Sequence, residues 1–340
     1  MSSTLFIHSI GPGVTVQDQG RPGWAAQGLS RGGAADPLAL LEGAALLNSD
    51  PGHAVLEMMG MGGSFSTSQD TRFALTGARM QAQIDGTPVP HNSSQLLRAG
   101  QRLQIGGARA GVFGYLAFAG EILTDTVMGS RSAHLTAGIG RPLKNGDTLP
   151  LGPDPDVTAP PRRLQESDRL TGGLIRVMPG PQTEFFDADM RDRFTATRFT
   201  RSPRGNRQGV RLDHDSAPFT AAGQLGLLSD VIVAGDIQMT GDGVPFVLLA
   251  ECQTIGGYPR IGTVIPSDLP RLAQAAPGTA LQFRMLSVEA ADASVQPQAT
   301  QLASLRAACQ PLIRDPHDIA DLLGYQLISG MTTGDDLERQ

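Results

Sequence analysis

Over the first 150 or so residues, apolar and polar positions alternate in short runs broken by glycine and proline. That is a pattern of strands and turns, not of long helices. The exception starts at Asp36-Pro37, where Asp36 suits a helix cap and Pro37 the first helical position. Leu38, Leu41 and Ala45 then fall on one face, and Asn48 stands at the far end. Strands resume beyond it. Residues 81–84 and Val89 flank Asp85-Gly86, a hairpin signal that Pro88 weakens, and 112–119 reads as a strong strand. Residues 152–170 are rich in proline and polar side chains and read as a linker. Further strands are predicted at 174–178, 225–228, 231–234, 237–239 and 246–249, the last two joined by Thr240-Gly-Asp-Gly-Val244. A short helix at 267–274 and a closing strand at 281–288 follow. An apolar stripe at Leu302, Leu305, Ala308 and Cys309 predicts a helix over 300–309. A second helix is predicted at 315–323, and a frayed polar end at 331–340. The expected organisation is two β domains, 1–151 and 171–295, joined by the linker and followed by a helical tail, 296–340. The tail is expected to pack against a domain or a partner. Periodicity by itself reaches an all-β chain of barrels or sandwiches.

Composition narrows the function. The 340 residues are 40% hydrophobic and only 18% charged, with 42 glycines, which suits many short strands and turns. The formal net charge of -6 argues against a nucleic-acid partner, whose phosphates need a basic face. Almost every basic residue is arginine; Lys144 is the one lysine and sits in a turn-like Leu-Lys-Asn-Gly-Asp run. There is therefore no Gly-Lys-Ser/Thr phosphate loop and no lysine in a biotin-acceptor setting. Two cysteines, Cys252 and Cys309, form no disulfide framework and no metal pair. The N-terminus lacks the pattern of a signal peptide and no apolar run is long enough to span a bilayer, so a cytoplasmic protein without a membrane partner is expected.

Two distant stretches concentrate hydrogen-bonding side chains beside glycines: residues 16–23 (Val-Gln-Asp-Gln-Gly-Arg-Pro-Gly) and 253–259 (Gln-Thr-Ile-Gly-Gly-Tyr-Pro). Both read as binding loops on a rigid frame. With the blocks at 32–36, 75–78, 115–120, 129–132, 140–147, 207–212, 235–238 and 273–278, they resemble the allophanate hydrolase subunit 2 family. That family includes the C subunit of 5-oxoprolinase, the KipA-type proteins and the carboxyltransferase domain of urea carboxylase. The resemblance runs in order over roughly residues 5–290 and implies two tandem cyclophilin-like β-barrels. Glu251-Cys252 and the 119–121 segment depart from the family pattern.

Arginines beside glycines suit carboxylate or phosphate recognition, because the guanidinium fork fixes both orientation and charge. Arg21, Arg131, Arg207 and Arg211 are the candidates, expected to converge with Tyr258 on one cleft that holds a small anionic or amide molecule. Gln17, Asp18, Gln238 and Gln253 could bind a lactam or urea group, with Gly256 and Gly257 allowing close approach; such side chains also tie loops together. Glu57 is either a general base or a buried partner of Arg21 or Arg131. Gln17, Asp18 and Glu57 are the catalytic candidates. Asp36 and Asn48 read as helix caps. No metal site is expected, Asp213-His214-Asp215 included, and Ser130 and Ser132 lack a His–Asp signature. The resemblance implies a component of an ATP-dependent 5-oxoprolinase. It would work with the A subunit of 5-oxoprolinase and with a B-subunit-like (KipI-type) protein, ATP being handled in the complex. The alternatives are a biotin-dependent carboxyltransferase acting on urea or a related amide, and a non-enzymatic KipA-type regulator that binds a KipI-type partner.

Overall fold

The computed structural model describes residues 3–221 and 227–313. The helix at 315–323, the end at 331–340 and residues 225–226 of the strand expected at 225–228 lie outside the described residues.

The fold is mainly β. Ten segments before residue 164 and one at Gln310–Pro311 form an eleven-stranded antiparallel sheet. Its spine is the pair Thr71–Ile84 and Leu103–Phe118, in register from Phe73↔Phe118 to Ile84↔Leu103. Bulges along this pair bend the sheet over a core of Leu5, Leu56, Phe65, Phe73 and Leu116. The hairpin at Asp85-Gly86 forms between Thr71–Ile84 and Thr87–Pro88, with both turn residues at positive φ, 48° and 87°. That is the conformation an Asp-Gly pair favours.

In the second half the strands close into a seven-stranded barrel: Gly173–Met178, Arg260–Val264, Asp236–Met239, Pro245–Leu248, Gly209–Asp213, Phe199–Gly205 and Ala280–Met285. Parallel pairing of Gly173–Met178 with Ala280–Met285 completes the ring. Phe194, Phe199, Phe219 and Phe283 fill it, with neighbouring ring centroids 5.0 to 5.9 Å apart. Among the described residues this second half closes by hydrogen bonding, whereas the strands of the first pair as an open sheet.

Five α-helices are described: α1 (Pro37–Leu47), α2 (Ala188–Ala196), α3 (Leu269–Gln274), α4 (Val288–Ala293) and α5 (Gln298–Ala308). α1 is capped as its sequence predicts. Asp36 accepts from Ala39 N, and Asn48 ends the helix at φ 52°. It is buried on nearly every side, packed between the first sheet and α5, which explains its run of Ala and Leu. One continuous apolar cluster runs from α1 residues such as Leu40 and Leu46 into the barrel at Phe199 and Phe283. α2 and α4 were not predicted from the sequence. The closing strand stops at Met285, short of the predicted 288, and Ser287 caps α4 through Ala290 N.

The 152–170 connection is packed into the molecule. Asp154 takes Arg72 in a fork at 2.6 Å, Arg162–Arg163 joins the first sheet as a strand, and Leu164 is buried. Arg169 reaches across to α1, donating to Asp36 at 2.8 Å and forking onto Glu42 at 2.7 and 2.6 Å. Burial opposes the Arg169 charge, but Asp36 and Glu42 more than offset it, so its pKa rises. Burial likewise pushes the Glu42 carboxyl up, against the pull of Arg169.

Removing one partner from such a buried cluster strands the others without compensation. Arg169→Met is expected to cost about 3–5 kcal/mol in urea unfolding. A loss below about 1 kcal/mol would show that the cluster does not hold the halves together.

Candidate functional site

The first glycine-rich stretch folds back to back with the segment at 31–36. Arg21 N donates to Arg31 O at 2.8 Å and Ala34 N to Asp18 O at 3.0 Å. The approach is too close for side chains. A Cβ on Gly20 (φ 76°) would lie 2.5 Å from Arg31 O, and one on Gly33 (φ 81°) 2.7 Å from Gly20 N. Glycine is the residue that fits both the contact and the left-handed backbone.

Asp18 is the hub of this loop. Its carboxylate accepts from Gly20 N at 2.8 Å, Ser130 Oγ at 2.6 Å, Ser132 Oγ at 2.5 Å and Arg131 N at 2.6 Å. Every donor belongs to this loop or to 130–132, so Asp18 fixes two loops against each other. Gln17 is buried beside it and donates to Thr15 Oγ1 and Ala133 O, leaving its Oε1 without a partner. Arg131 turns away to Glu121 at 2.8 Å and to Thr124 O.

Arg21 is different. Only 1% of it is exposed, yet it forms no ion pair among the described residues. Its Nη2 donates to Ser132 O at 2.5 Å and its Nε to Val127 O at 3.4 Å, while Nη1 has no acceptor. Burial lowers its pKa, outweighing the pull of Asp18 and Glu251. The side chain borders a cleft of about 1220 Å³ at the seam between the sheet and the barrel.

Both halves build this cleft. The first contributes Asp18, Arg21, Trp24, Ser30 and Gly32; the barrel contributes Arg176, Ile232, Cys252, Thr254 and Thr263. Thr254 comes from the second glycine-rich stretch, so the two stretches do meet at one cavity. Ser30 Oγ lies 2.9 Å from His134 Nε2, and His134 Nδ1 accepts from Ala137 N at 3.3 Å. That bond leaves the ring hydrogen on Nε2, pointing at Ser30. Burial lowers the His134 pKa, with Arg21 and Arg207 assisting and Glu251 opposing, which favours the neutral ring.

Behind the cleft lies the ion cluster of the seam. Arg207 donates to Glu251 at 2.7 Å, to Gly33 O at 2.5 Å and, through Nη1, to Glu57. Glu57 also accepts from Ala35 N and from the Tyr115 hydroxyl, both at 2.8 Å; that hydroxyl in turn accepts from Asp36 N. Glu57 is thus the buried partner of Arg207, not of Arg21 or Arg131.

The expected convergence of Arg21, Arg131, Arg211 and Tyr258 on one cleft is corrected by these positions. Of the four, Arg21 alone borders it. Arg211 lies on the barrel strand Gly209–Asp213 and pairs with Asp213 at 2.9 Å, because the two residues share one strand face. Tyr258 is half exposed, and Gln253 is exposed in the same loop. Gly256 and Gly257 belong to a small ribbon in which Asp230–Val231 pairs with Ile255–Gly256. Gln238 is buried beneath it; a Cβ on Gly256 would come 2.6 Å from its unpartnered Nε2. Arg260 fastens the ribbon to the barrel through Asp230, Val231 O and Asp236. Among the described residues no group of three or more His, Cys, Asp or Glu side chains could hold a metal ion. Nor is any helix there long and apolar enough to cross a membrane.

Trp24, Ser30, Thr254 and the tail residues on the cleft were not singled out from sequence. Thr254 lay inside the quoted 253–259 stretch and Ser30 two positions before the 32–36 block, and the lone tryptophan beside Arg21 was the available signal.

The family model for the carboxyltransferase domain, subdomain A and B, matches residues 27–285. A relative from Escherichia coli, named as the C subunit of 5-oxoprolinase, is 36% identical over 291 residues, 84% of this chain and 93% of that protein. Urea amidolyase of Saccharomyces cerevisiae is 25% identical over 89% of this chain, which spans 18% of that protein. The solved urea carboxylase of Kluyveromyces lactis superposes with a TM-score of 0.79 at 22% identity, over 92% of this chain and 31% of its own length.

Cys252 borders the cleft, and burial, with Asp236 assisting, pushes its thiol up to about 12. Because the thiolate is the reactive form, iodoacetamide at pH 8 is expected to modify it about a thousandfold more slowly than a free cysteine, the rate still rising above pH 10. Free-cysteine rates at pH 8 would contradict this environment.

Proposed function

We propose that this chain, which belongs to the carboxyltransferase domain family spanning subdomains A and B, is a subunit of an ATP-dependent 5-oxoprolinase whose seam cleft holds the substrate carboxylate. The observation that carries the reading is Arg21: a buried guanidinium with no ion pair and one free nitrogen, bordering a cleft assembled from both halves. The E. coli relative, named for its place in 5-oxoprolinase, supports the choice of reaction. A carboxylate entering beside Nη1 supplies the missing acceptor and compensates a charge that burial disfavours. 5-Oxoproline offers that carboxylate together with a lactam N–H and C=O for the polar side chains elsewhere on the cleft wall.

Opening a five-membered lactam needs activation, which ATP bound in the complex would supply by transferring its terminal phosphoryl group to the amide oxygen with release of ADP. The one lysine, Lys144, is exposed in its turn and does not border the cleft. In this reading ATP is handled with the A subunit of 5-oxoprolinase and a B-subunit-like (KipI-type) protein. This chain binds and orients the lactam and excludes water around it. Glu57 and Asp18 act through other groups: Glu57 anchors Arg207 at the seam, and Asp18 holds the loops that carry Arg21.

The second reading, carboxyl transfer to urea or a related amide, draws on the likeness to the yeast urea amidolyase. It requires biotin on a separate carrier.

Co-expression with the A and B partners is expected to give ATP hydrolysis that 5-oxoproline stimulates, in the combined complex only. Arg21→Lys is expected to raise KM for 5-oxoproline about tenfold, the loss of one charged hydrogen bond, with a smaller change in kcat. Absence of stimulation in the complex, or biotin-dependent carboxylation in its place, would overturn the reading. A stable complex without turnover would point to a regulator.

A further inference from the structure

The family match ends at residue 285, yet the chain beyond it helps to build the cleft. The tail is fastened at both ends. It leaves the barrel at the closing strand Ala280–Met285, and Gln310–Pro311 pairs with Arg162–Arg163 as the edge of the first sheet. Between these points α5 lies against α1. Leu302 is buried in the shared core, and Arg306 donates to Ser49 O at 2.9 Å. The tail is a strap across the seam.

One face of this strap is turned to the cleft. Gln298, Gln301 and Ser304 follow at i, i+3 and i+6, the spacing of one helix face, and all three border the cavity. Gln301 Nε2 donates to Gln296 O at 2.7 Å, which sets the side chain and leaves its Oε1 free. No hydrogen bond among the described residues engages the Gln298 amide or the Ser304 hydroxyl. The wall is uncharged, with both donors and acceptors, in contrast to the bare cation at Arg21.

We infer that α5 is the amide-recognition wall of the cleft, and that Gln298, Gln301 and Ser304 set its specificity for a neutral amide group. This deepens the functional reading above and rests on it for the identity of the ligand: a small molecule with a carboxylate for Arg21 and an amide for α5. The cavity, about 1220 Å³, is larger than the roughly 300–1000 Å³ of ordinary small-molecule sites.

The test needs no catalysis. Trp24, the single tryptophan of the chain, borders the same cleft. The full chain is titrated with 2-pyrrolidinone, an amide without a carboxylate, and with 5-oxo-L-proline, followed by Trp24 fluorescence and saturation-transfer NMR. The Q298A/Q301A/S304A variant, whose changes lie on the surface, is expected to weaken 2-pyrrolidinone at least fivefold. No saturable binding to the native chain, or unchanged binding to the folded triple variant, overturns the inference. 5-Oxoproline is expected to bind at least tenfold more tightly than 2-pyrrolidinone, an advantage lost in Arg21→Gln. Failure of that comparison alone removes the carboxylate reading at Arg21 and leaves the α5 wall standing.

Discussion

The structure depends on a buried chain of charges that runs from one half to the other. Arg207 of the barrel holds Glu57 of the sheet; Glu57 holds the Tyr115 hydroxyl; that hydroxyl holds the Asp36 backbone. Asp36 caps α1 and takes Arg169, whose other side forks onto Glu42. Gln274 of α3 closes the circuit, donating to Asp36 and accepting from the Val112 and Phe113 amides. Each group is buried and each has partners, so removing any member leaves a costly remainder. The apolar cluster around α1 gives the halves adhesion; this network gives them one registration.

That registration is what makes a cleft. The loops bearing Asp18 and Arg21 are set by Ser130 and Ser132 on one side and by tight glycine contacts on the other. Gly32 N donates across the seam to Ala250 O at 3.1 Å, and Glu251 accepts from Thr136. The acceptors around the seam are therefore taken by Arg207 and by backbone groups, and Arg21, which borders the cavity, keeps a buried Nη1 without an acceptor among the described residues. A functional group retained at a local energetic cost is a recurring mark of a binding site.

Much of the architecture was legible because strand periodicity and turn chemistry are local. The Asp85-Gly86 hairpin, the α1 caps and the Thr240–Val244 turn all form where the residues placed them. Closure of the second half into a barrel was expected from the family resemblance and not from periodicity, since the parallel pairing of Gly173–Met178 with Ala280–Met285 joins segments about a hundred residues apart. The 152–170 stretch read as a linker because proline and charge look solvated in one dimension. In three dimensions Asp154 and Arg169 find buried partners more than eighty residues away in sequence. The same limit governs the site. Arginines beside glycines identified Arg21, but the motif could not tell it from Arg131, Arg207 and Arg211, each of which meets a carboxylate that only the fold brings near or orients. The contribution of the tail was hidden because its apolar stripe announced packing, while the polar face beside it carried no motif.

The central claim is that the free guanidinium nitrogen of Arg21 is the anion seat of a cleft built by both halves. A crystal structure of the full chain with 5-oxo-L-proline tests it most directly. The account predicts the ligand carboxylate within hydrogen-bond distance of Arg21 Nη1, in the seam cleft. A ligand bound elsewhere, with Nη1 still lacking an acceptor, would contradict it.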